Sequence, residues 1–594
     1  MVLSDLERTV LTEISKEECW RHVEWFASVG EKLSGTPSNE KSVNYILDTL
    51  REYGVKATAP EFQAWLDFPK LFDSELKVIS PIEKPIEAMA LAQITSTPTE
   101  GVEGELVYVG GGALADYEGK NVHGKIVMVD FDRGPTRPWK NYVAGVLKGA
   151  AGLIVVNYRG PTRVFNRGTV KSVWGNPTPS NIGEIGRIPA VNISAEDGIT
   201  LKDLLNKGPV NVQIKASGER GWARTRQPNA SLSKGHEFVL LGSHMDAWGG
   251  AASCNAVGVA STLETARVLV KHLPDLNRGV EFLWFQGHET GIMTGSTWYV
   301  DTYWDWLRAG CVAYLNNDTP SMAGTNVYRV DSDPLLRDFV VETVKELAEE
   351  DEIPLKPVKR YMPNKTGDQS FLGLGIPSVR VITTFNEEVE KNTPSGGWWY
   401  HSDKDTIDKV NPETLLMANR AQTLVILRLC TLPILPYKVA SAASWMVESL
   451  SELAQKSGKA LDLMDLIEKA ERLAESANIL DEATLSLTER ANTGKGIKPE
   501  KLRQVNECLM TISRVLNPVN YTLHGRYDQD HYGAEYIKPI PALQPVAELA
   551  LLNPDTSAYK ALRTKLVRAR NMVSDSLVEA SWVVNHTTEL TQRI

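Results

Sequence analysis

The apolar positions along this chain change texture three times. Over residues 38–53, Val43, Ile46, Leu47 and Leu50 recur near a 3.6-residue period and predict a helix. Pro37 suits its first turn and Gly54 its C-terminal stop. From about residue 60 to 227, short strand-like runs at 105–109, 125–129 and 153–157 alternate with glycine and proline, the pattern of a compact, mainly β module. From 237 to about 432 the pattern becomes buried strand, loop, helix, repeated, with strands predicted at 238–241, 280–285, 312–315 and 379–382. Helical stretches such as 257–272 separate these near-continuous apolar runs, which implies an α/β sheet covered on both faces. Beyond residue 440, amphipathic stretches at 449–477 and 556–584 flank a Pro- and Tyr-rich loop at 517–545 and predict a helical unit.

A chain of 594 residues is too long for one hydrophobic core, so two to four domains are expected. A net charge of −10 argues against nucleic acid or an anionic membrane as the main partner. The five cysteines, at 19, 254, 311, 430 and 508, are odd in number and scattered, so they make no disulfide framework and suit a reducing compartment. No basic start leads into an apolar stretch, and no run of 18 apolar residues occurs. These features predict a cytoplasmic protein without a membrane span.

His244-x-Asp246 after a strand is a modest signal, since a lone histidine there is more often an ordinary core residue. The other strand ends change the picture. One leads into His288-Glu289, another into Asn316-Asn317-Asp318, and a later loop carries Tyr400-His401-Ser402-Asp403. Each offers a nitrogen or oxygen donor of the kind first-row divalent metals take, and three of only ten histidines fall in the set. Open α/β sheets place their sites at such strand ends.

On these segments the chain resembles the co-catalytic zinc aminopeptidase family, and within it the glutamate carboxypeptidase and transferrin receptor branch. Leu33-Ser-Gly-Thr-Pro, Gly295-Ser296-Thr297, Asn316-x-Asp318 and Tyr400-His401-Ser402 carry the resemblance in order over nearly the full length. It implies a mostly parallel α/β sheet of zinc-exopeptidase type with helices on both faces, built from residues 1–59 and 231–435. It further implies an inserted, mainly β protease-associated domain over 60–230 and a helical domain over 436–594 similar to the receptor dimerisation domain, hence a homodimer. By the same resemblance His244 and Asp318 would hold one metal and Glu289 and His401 another. Asp246 would orient His244, and Tyr400 would donate to a developing oxyanion. The implied cofactor is one or two divalent transition metals, zinc or iron, and the implied partner a small-molecule or peptide substrate.

Two positions depart from the family. Cys254 stands where a bridging aspartate is expected, and His288 where a glutamate acts as general base. A carboxylate bridge can hold two metals about 3.5–4 Å apart with one oxygen each. A thiolate keeps the anionic charge but offers one soft donor, which favours zinc or iron over magnesium, calcium or manganese. Imidazole can accept a proton in place of the glutamate, or it can become a ligand. Three readings follow: an amide hydrolase with altered metal preference and His288 as proton shuttle, a metalloenzyme for a non-peptide substrate or a different reaction, and a catalytically silent, receptor-like binding protein. Both replacements can coordinate metal, whereas decay tends to leave apolar or small residues, which favours the first. A nucleophilic Cys254 with His288 as its base is a minor alternative. For substrate contact the candidates are Arg380, His531, Tyr532 and Trp248, with Trp398 and Trp399 as further pocket walls. Ile382 occupies the place of an expected second arginine.

Overall fold

Seven strands form the sheet on which the candidate site stands: β1 (Lys56–Thr58), β2 (Asn229–Leu232), β3 (Phe238–His244), β4 (Gly279–Phe285), β5 (Cys311–Asn316), β6 (Val327–Ser332) and β7 (Ser378–Thr384). They are seen in a computed structural model that describes residues 3–68, 73–133, 135–161, 163–356, 368–394, 396–493, 497–533 and 538–594. Their order is β1-β2-β4-β3-β5-β7-β6. The four central strands are parallel, and antiparallel strands close both edges. The register pairs His244 with Phe285 and Gly242 with Asn316, so the loops after β3, β4 and β5 leave the sheet at one edge. That alignment brings residues 244, 289 and 318 together although the sequence separates them.

Alternation along β3 shows how both faces are covered. Val239 and Leu241 join the large core built with the helices Lys16–Val29, Val257–Leu269, Pro334–Glu350 and Pro412–Thr431. Phe238 and Leu240 join a second core with Phe285, Tyr314 and Phe371 on the opposite face. The helix Pro37–Glu52 starts with Thr36, whose side chain accepts from the Asn39 N–H, and is followed by Gly54 at φ 73°.

The inserted unit begins and ends in a two-stranded ribbon, Glu61–Asp67 against Arg220–Arg226. Beyond it lies an eight-stranded sheet with its own core of Val127, Val129, Ile154, Val156, Val191 and their neighbours. Asn229–Leu232 belongs to the main sheet, so the α/β unit resumes two residues earlier than 231.

The C-terminal unit contains the helices Val439–Ser457, Met464–Asn492, Pro499–Tyr521 and Ser557–Gln592. The amphipathic stretch 449–477 spans the end of the first of these helices and the start of the second. Gly458 at φ 55° stops the first, and its N–H closes on Ala454 O. Residues 517–521, expected in the loop, form the last turn of Pro499–Tyr521, and 534–537 of that loop lie outside the described residues. Among the described residues no helix is long and apolar enough to cross a membrane.

Candidate metal centre

Five side chains converge at the edge where β3, β4 and β5 end. His244 Nε2 lies 3.4 Å from Asp318 Oδ1, and His401 Nε2 lies 3.1 Å from Glu289 Oε1. Cys254 Sγ sits between the two pairs, 3.7 Å from His244 Nε2, 3.6 Å from His401 Nε2 and 3.9 Å from Glu289 Oε1. All are buried except Asp318, which is partly exposed. Among the described residues neither Glu289 nor Asp318 pairs with a lysine or arginine side chain; each faces a histidine instead. Buried carboxylates and a thiol gathered around imidazoles, with no lysine or arginine in ion-pair contact with either carboxylate, are costly unless a cation joins them. The donor set thus fits one or two divalent ions of the borderline-soft kind.

The supports of this cluster come from residues scattered over the chain. His244 Nδ1 is 2.9 Å from the backbone carbonyl of Asp246, while the Asp246 carboxylate is 3.9 Å away. The expected orienting role therefore falls to the carbonyl. The carboxylate instead accepts the N–H groups of His288 (3.2 Å) and Glu289 (3.0 Å) and fixes the loop after β4. Asp405 does the same for the Cys254 turn: Oδ1 accepts from Ser253 N–H (2.9 Å) and Oγ–H (2.8 Å), and Oδ2 accepts from Cys254 N–H (3.1 Å). Asn255 ties the strand ends together, donating to Ser243 Oγ, His244 O and Asn317 O and accepting from Thr319 N–H. Asp405 and Asn255 carry no metal-donor spacing of their own, which is why the sequence pattern passed over them.

Electrostatics follow from burial and from this crowding. Burial raises Asp246 and Asp405 to about 6. Burial, with Glu289, Asp318 and Asp405 nearby, pushes the Cys254 thiol far up. Burial opposes charge on Glu289, but His401 and the neighbouring histidines outweigh it and hold its pKa at about 2. A dication among these groups acts against the rise at Cys254 and deprotonates a coordinating thiol.

Several residues expected at the substrate have other partners. Arg380 Nη2 donates to the Asp318 backbone carbonyl (2.7 Å), so it braces a donor loop. Trp248 is fully buried with Leu33, Met89 and Ala92, and its Nε1–H donates to Glu289 Oε2 (2.8 Å), which leaves it no wall to present. Trp399 is likewise buried, with Nε1–H on Ser253 Oγ (3.2 Å), while Trp398 is half-buried beside it. His531 Nε2 meets Glu184 of the inserted unit at 2.7 Å. Tyr532 packs on Trp174 and sits in the field of Glu289, Asp318 and Cys254. Tyr400 stacks on His401 with centroids 3.8 Å apart.

The inserted unit reaches the centre directly. Arg167 N–H donates to His401 O (2.7 Å) and Asn166 Nδ2–H to Tyr400 O (2.6 Å), which pins His401 in its left-handed conformation at φ 59°. Arg137, 8% exposed, donates to Asn166 O and Arg167 O and faces Tyr400, Tyr532 and Glu289. Burial pulls its pKa down to about 10, and among the described residues it has no carboxylate within ion-pair distance. It is a functional candidate that sequence inspection missed, hidden in a Thr-Arg-Pro-Trp segment with no local pattern.

Comparison with known proteins places this architecture. Residues 225–426 match the model of peptidase family M28 and residues 102–201 that of the PA domain. The α/β unit resembles peptidase family M28. The chain is 27% identical over 418 residues to the probable lipoprotein aminopeptidase LpqL of Mycobacterium tuberculosis, covering 66% of this chain and 79% of that one. It is 24% identical over 528 residues to the probable glutamate carboxypeptidase VP8 of Zea mays, covering 74% and 70%. Among solved structures, an aminopeptidase from Aneurinibacillus sp. strain AM-1 superposes with a TM-score of 0.54 at 22% identity, covering 71% of this chain and 96% of that one. This last likeness concerns the fold.

Proposed function

We propose that this M28-type protein is a metal-dependent hydrolase that cleaves an amide-type C–N bond of a small substrate or peptide bearing a carboxylate or similar anionic group. The observation that carries the reading is the convergence of His244, Cys254, Glu289, Asp318 and His401 at the strand ends, linked by donor-to-donor contacts of 3.1–3.9 Å in which Cys254 joins His244, Glu289 and His401, and His244 joins Asp318. These residues would hold one or two divalent transition metals, zinc first and iron second because of the thiolate. Such an ion, when bound, lowers the pKa of a water and polarises a carbonyl. Tyr400, a phenol stacked on His401, is the donor for the carbonyl oxygen as it gains charge. His288 takes the proton of the attacking water and returns it to the leaving nitrogen. Arg137, a buried guanidinium facing the centre without a carboxylate of its own, is the group that receives the substrate's anion.

The test is to quantify metals in the purified protein, then assay a panel of aminoacyl and N-acyl amides, each with a free or an esterified carboxylate, before and after chelation and zinc return. Turnover that needs metal and prefers the free carboxylate is expected. A protein that retains no zinc or iron and turns over no amide would sink this reading in favour of a receptor-like binding protein. Two further parts belong to the proposal. The five cysteines stand unpaired, which supports a reducing compartment such as the cytoplasm. Val578 and Trp582, one helical turn apart and 55% and 68% exposed on Ser557–Gln592, offer an apolar contact for a homodimer.

A further inference from the structure

Asp368 lies outside the donor set, yet its carboxylate is what holds the side chain of His288. We propose that Asp368 is a positioning residue: it fixes His288 in the tautomer whose Nε2 accepts a proton, and His288 stands beside the metal donors rather than joining them. The proton-transfer role rests on the hydrolase reading above, whereas the tautomer and the non-ligand assignment do not.

Three observations carry it. His288 Nδ1 is 2.8 Å from Asp368 Oδ2, and Asp368 is 1% exposed. A carboxylate oxygen accepts at this contact, so Nδ1 carries the hydrogen and Nε2 is the ring nitrogen left to exchange a proton. A carboxylate behind a histidine is also common for metal ligands, so this pair alone does not choose between the roles. The second observation chooses. The rings of His288 and His244 are stacked, with centroids 3.8 Å apart and planes 11° from parallel. The donor atoms of His244, His288 and Asp318 lie within 4.8 Å of one another, but an imidazole nitrogen directs its lone pair in the plane of its ring, so two rings stacked face to face are poorly aimed at one ion. His244, on Asp318 and Cys254, has the ligand position, and His288 is one stacking distance away. Third, the imidazole is held from both ends. Its backbone N–H is fixed on Asp246 Oδ1, and Asp368, at φ 57°, has its own N–H against Met293 Sδ (3.3 Å).

A glutamate at position 288 would need no such partner, because either carboxylate oxygen accepts a proton. An imidazole does, because the wrong tautomer presents N–H where an acceptor is required. In the reaction, a water proton passes to His288 Nε2 while the water oxygen bonds to the carbonyl carbon. The C–N bond then breaks as the same proton moves to the leaving nitrogen. Asp368 keeps its hydrogen bond to Nδ1–H throughout and so stabilises the transient imidazolium.

The experiment uses the full-length, zinc-loaded protein. Nitrogen-15 NMR of histidine-labelled wild type is expected to show His288 with hydrogen on Nδ1; hydrogen on Nε2 alone, or direct metal coupling at either nitrogen, overturns the proposal. Zinc stoichiometry of Asp368→Asn and His288→Ala is expected to equal that of wild type, and a lost equivalent in His288→Ala makes it a ligand. With the best amide found, Asp368→Asn should lower kcat by about 10²- to 10⁴-fold at nearly constant KM, and Asp368→Glu should recover part of it. A kcat for Asp368→Asn within threefold of wild type refutes the positioning role. If no amide is turned over, the hydrolase reading falls, while the NMR and zinc results still decide the tautomer and the non-ligand assignment.

Discussion

Asp405→Asn isolates the carboxylate that holds the Cys254 turn while barely changing side-chain volume. In the native site one oxygen accepts two hydrogen bonds from Ser253 and the other accepts the Cys254 N–H. The amide of asparagine can keep its oxygen toward Ser253 only by turning its NH₂ onto the Cys254 N–H. One charge-assisted hydrogen bond of about 1.5–3 kcal/mol is lost, and a buried donor is left unpaired at about 1–3 kcal/mol. With partial relaxation the metal-free protein should lose about 2–4 kcal/mol. Cys254 Sγ lies 3.6–3.9 Å from three other donors, so a shift of its turn also loosens the centre. Removing an outer partner of a metal site typically weakens binding about 10- to 100-fold. Urea unfolding of the metal-free protein measures the first quantity, and zinc competition against a chromophoric chelator measures the second. Asp403→Asn, at an exposed site two residues away, is the control and should change stability by less than about 0.5 kcal/mol. Wild-type zinc affinity and stability in Asp405→Asn would refute the assignment of Asp405 as the clamp of this turn.

Cys254→Asp should shift the metal preference from zinc toward manganese, because hard carboxylate oxygens would replace the soft sulfur; equilibrium dialysis against mixed metals checks it, and an unchanged ratio removes Cys254 from the donor set. His22 is buried between the hydroxyls of Tyr45 (2.8 Å) and Tyr53 (2.7 Å), and burial lowers its pKa to about 4 from 6.5. Its folded pKa lies below the unfolded one, so its contribution is complete above pH 6.5 and falls away toward pH 4, by about 3 kcal/mol in total; His22→Gln should flatten that part of the stability–pH curve measured by urea unfolding. Trp582→Glu should convert a dimer to monomers in sedimentation velocity, and a dimer of unchanged affinity places the interface elsewhere.

How far the sequence could be read depended on how local each signal was. β3, β4, β5 and β7 announce themselves as apolar runs, and their ends carry His244, Glu289 and Asp318 within a few residues. The helix from Pro37 to Glu52 is bounded by its own proline and glycine. Partners chosen across the fold leave no such trace. Asp368 is 80 positions from His288, Asp405 is 151 from Cys254, and Asn166 is 234 from Tyr400. Each is an ordinary polar residue until the chain is folded. Trp248 and Arg380 show the converse: their residue types suggested substrate contact, but their polar atoms are spent on Glu289 and on the Asp318 carbonyl. The split of 449–477 into two helices turned on Gly458, whose left-handed φ outweighs an apolar period that continues across it.

The two departures from the family can be judged by what surrounds them. A site losing its function has no reason to keep the partners that an altered residue needs. Cys254 retains the Asp405 clamp on its backbone, and the fully buried Lys32 faces Asp405, Glu31, Asp246 and Cys254, a positive charge beneath the turn whose pKa burial pulls down to about 8. His288 has Asp368, a carboxylate that an imidazole requires and a glutamate would repel. The second point is the sharper one. With glutamate at 288, Asp368 would face a carboxylate in place of an imidazole N–H and would add a further buried anion beside Glu289 and Asp318. Histidine at 288 and aspartate at 368 therefore match as a pair in hydrogen bonding and geometry, which is what the proposed hydrolase requires of them.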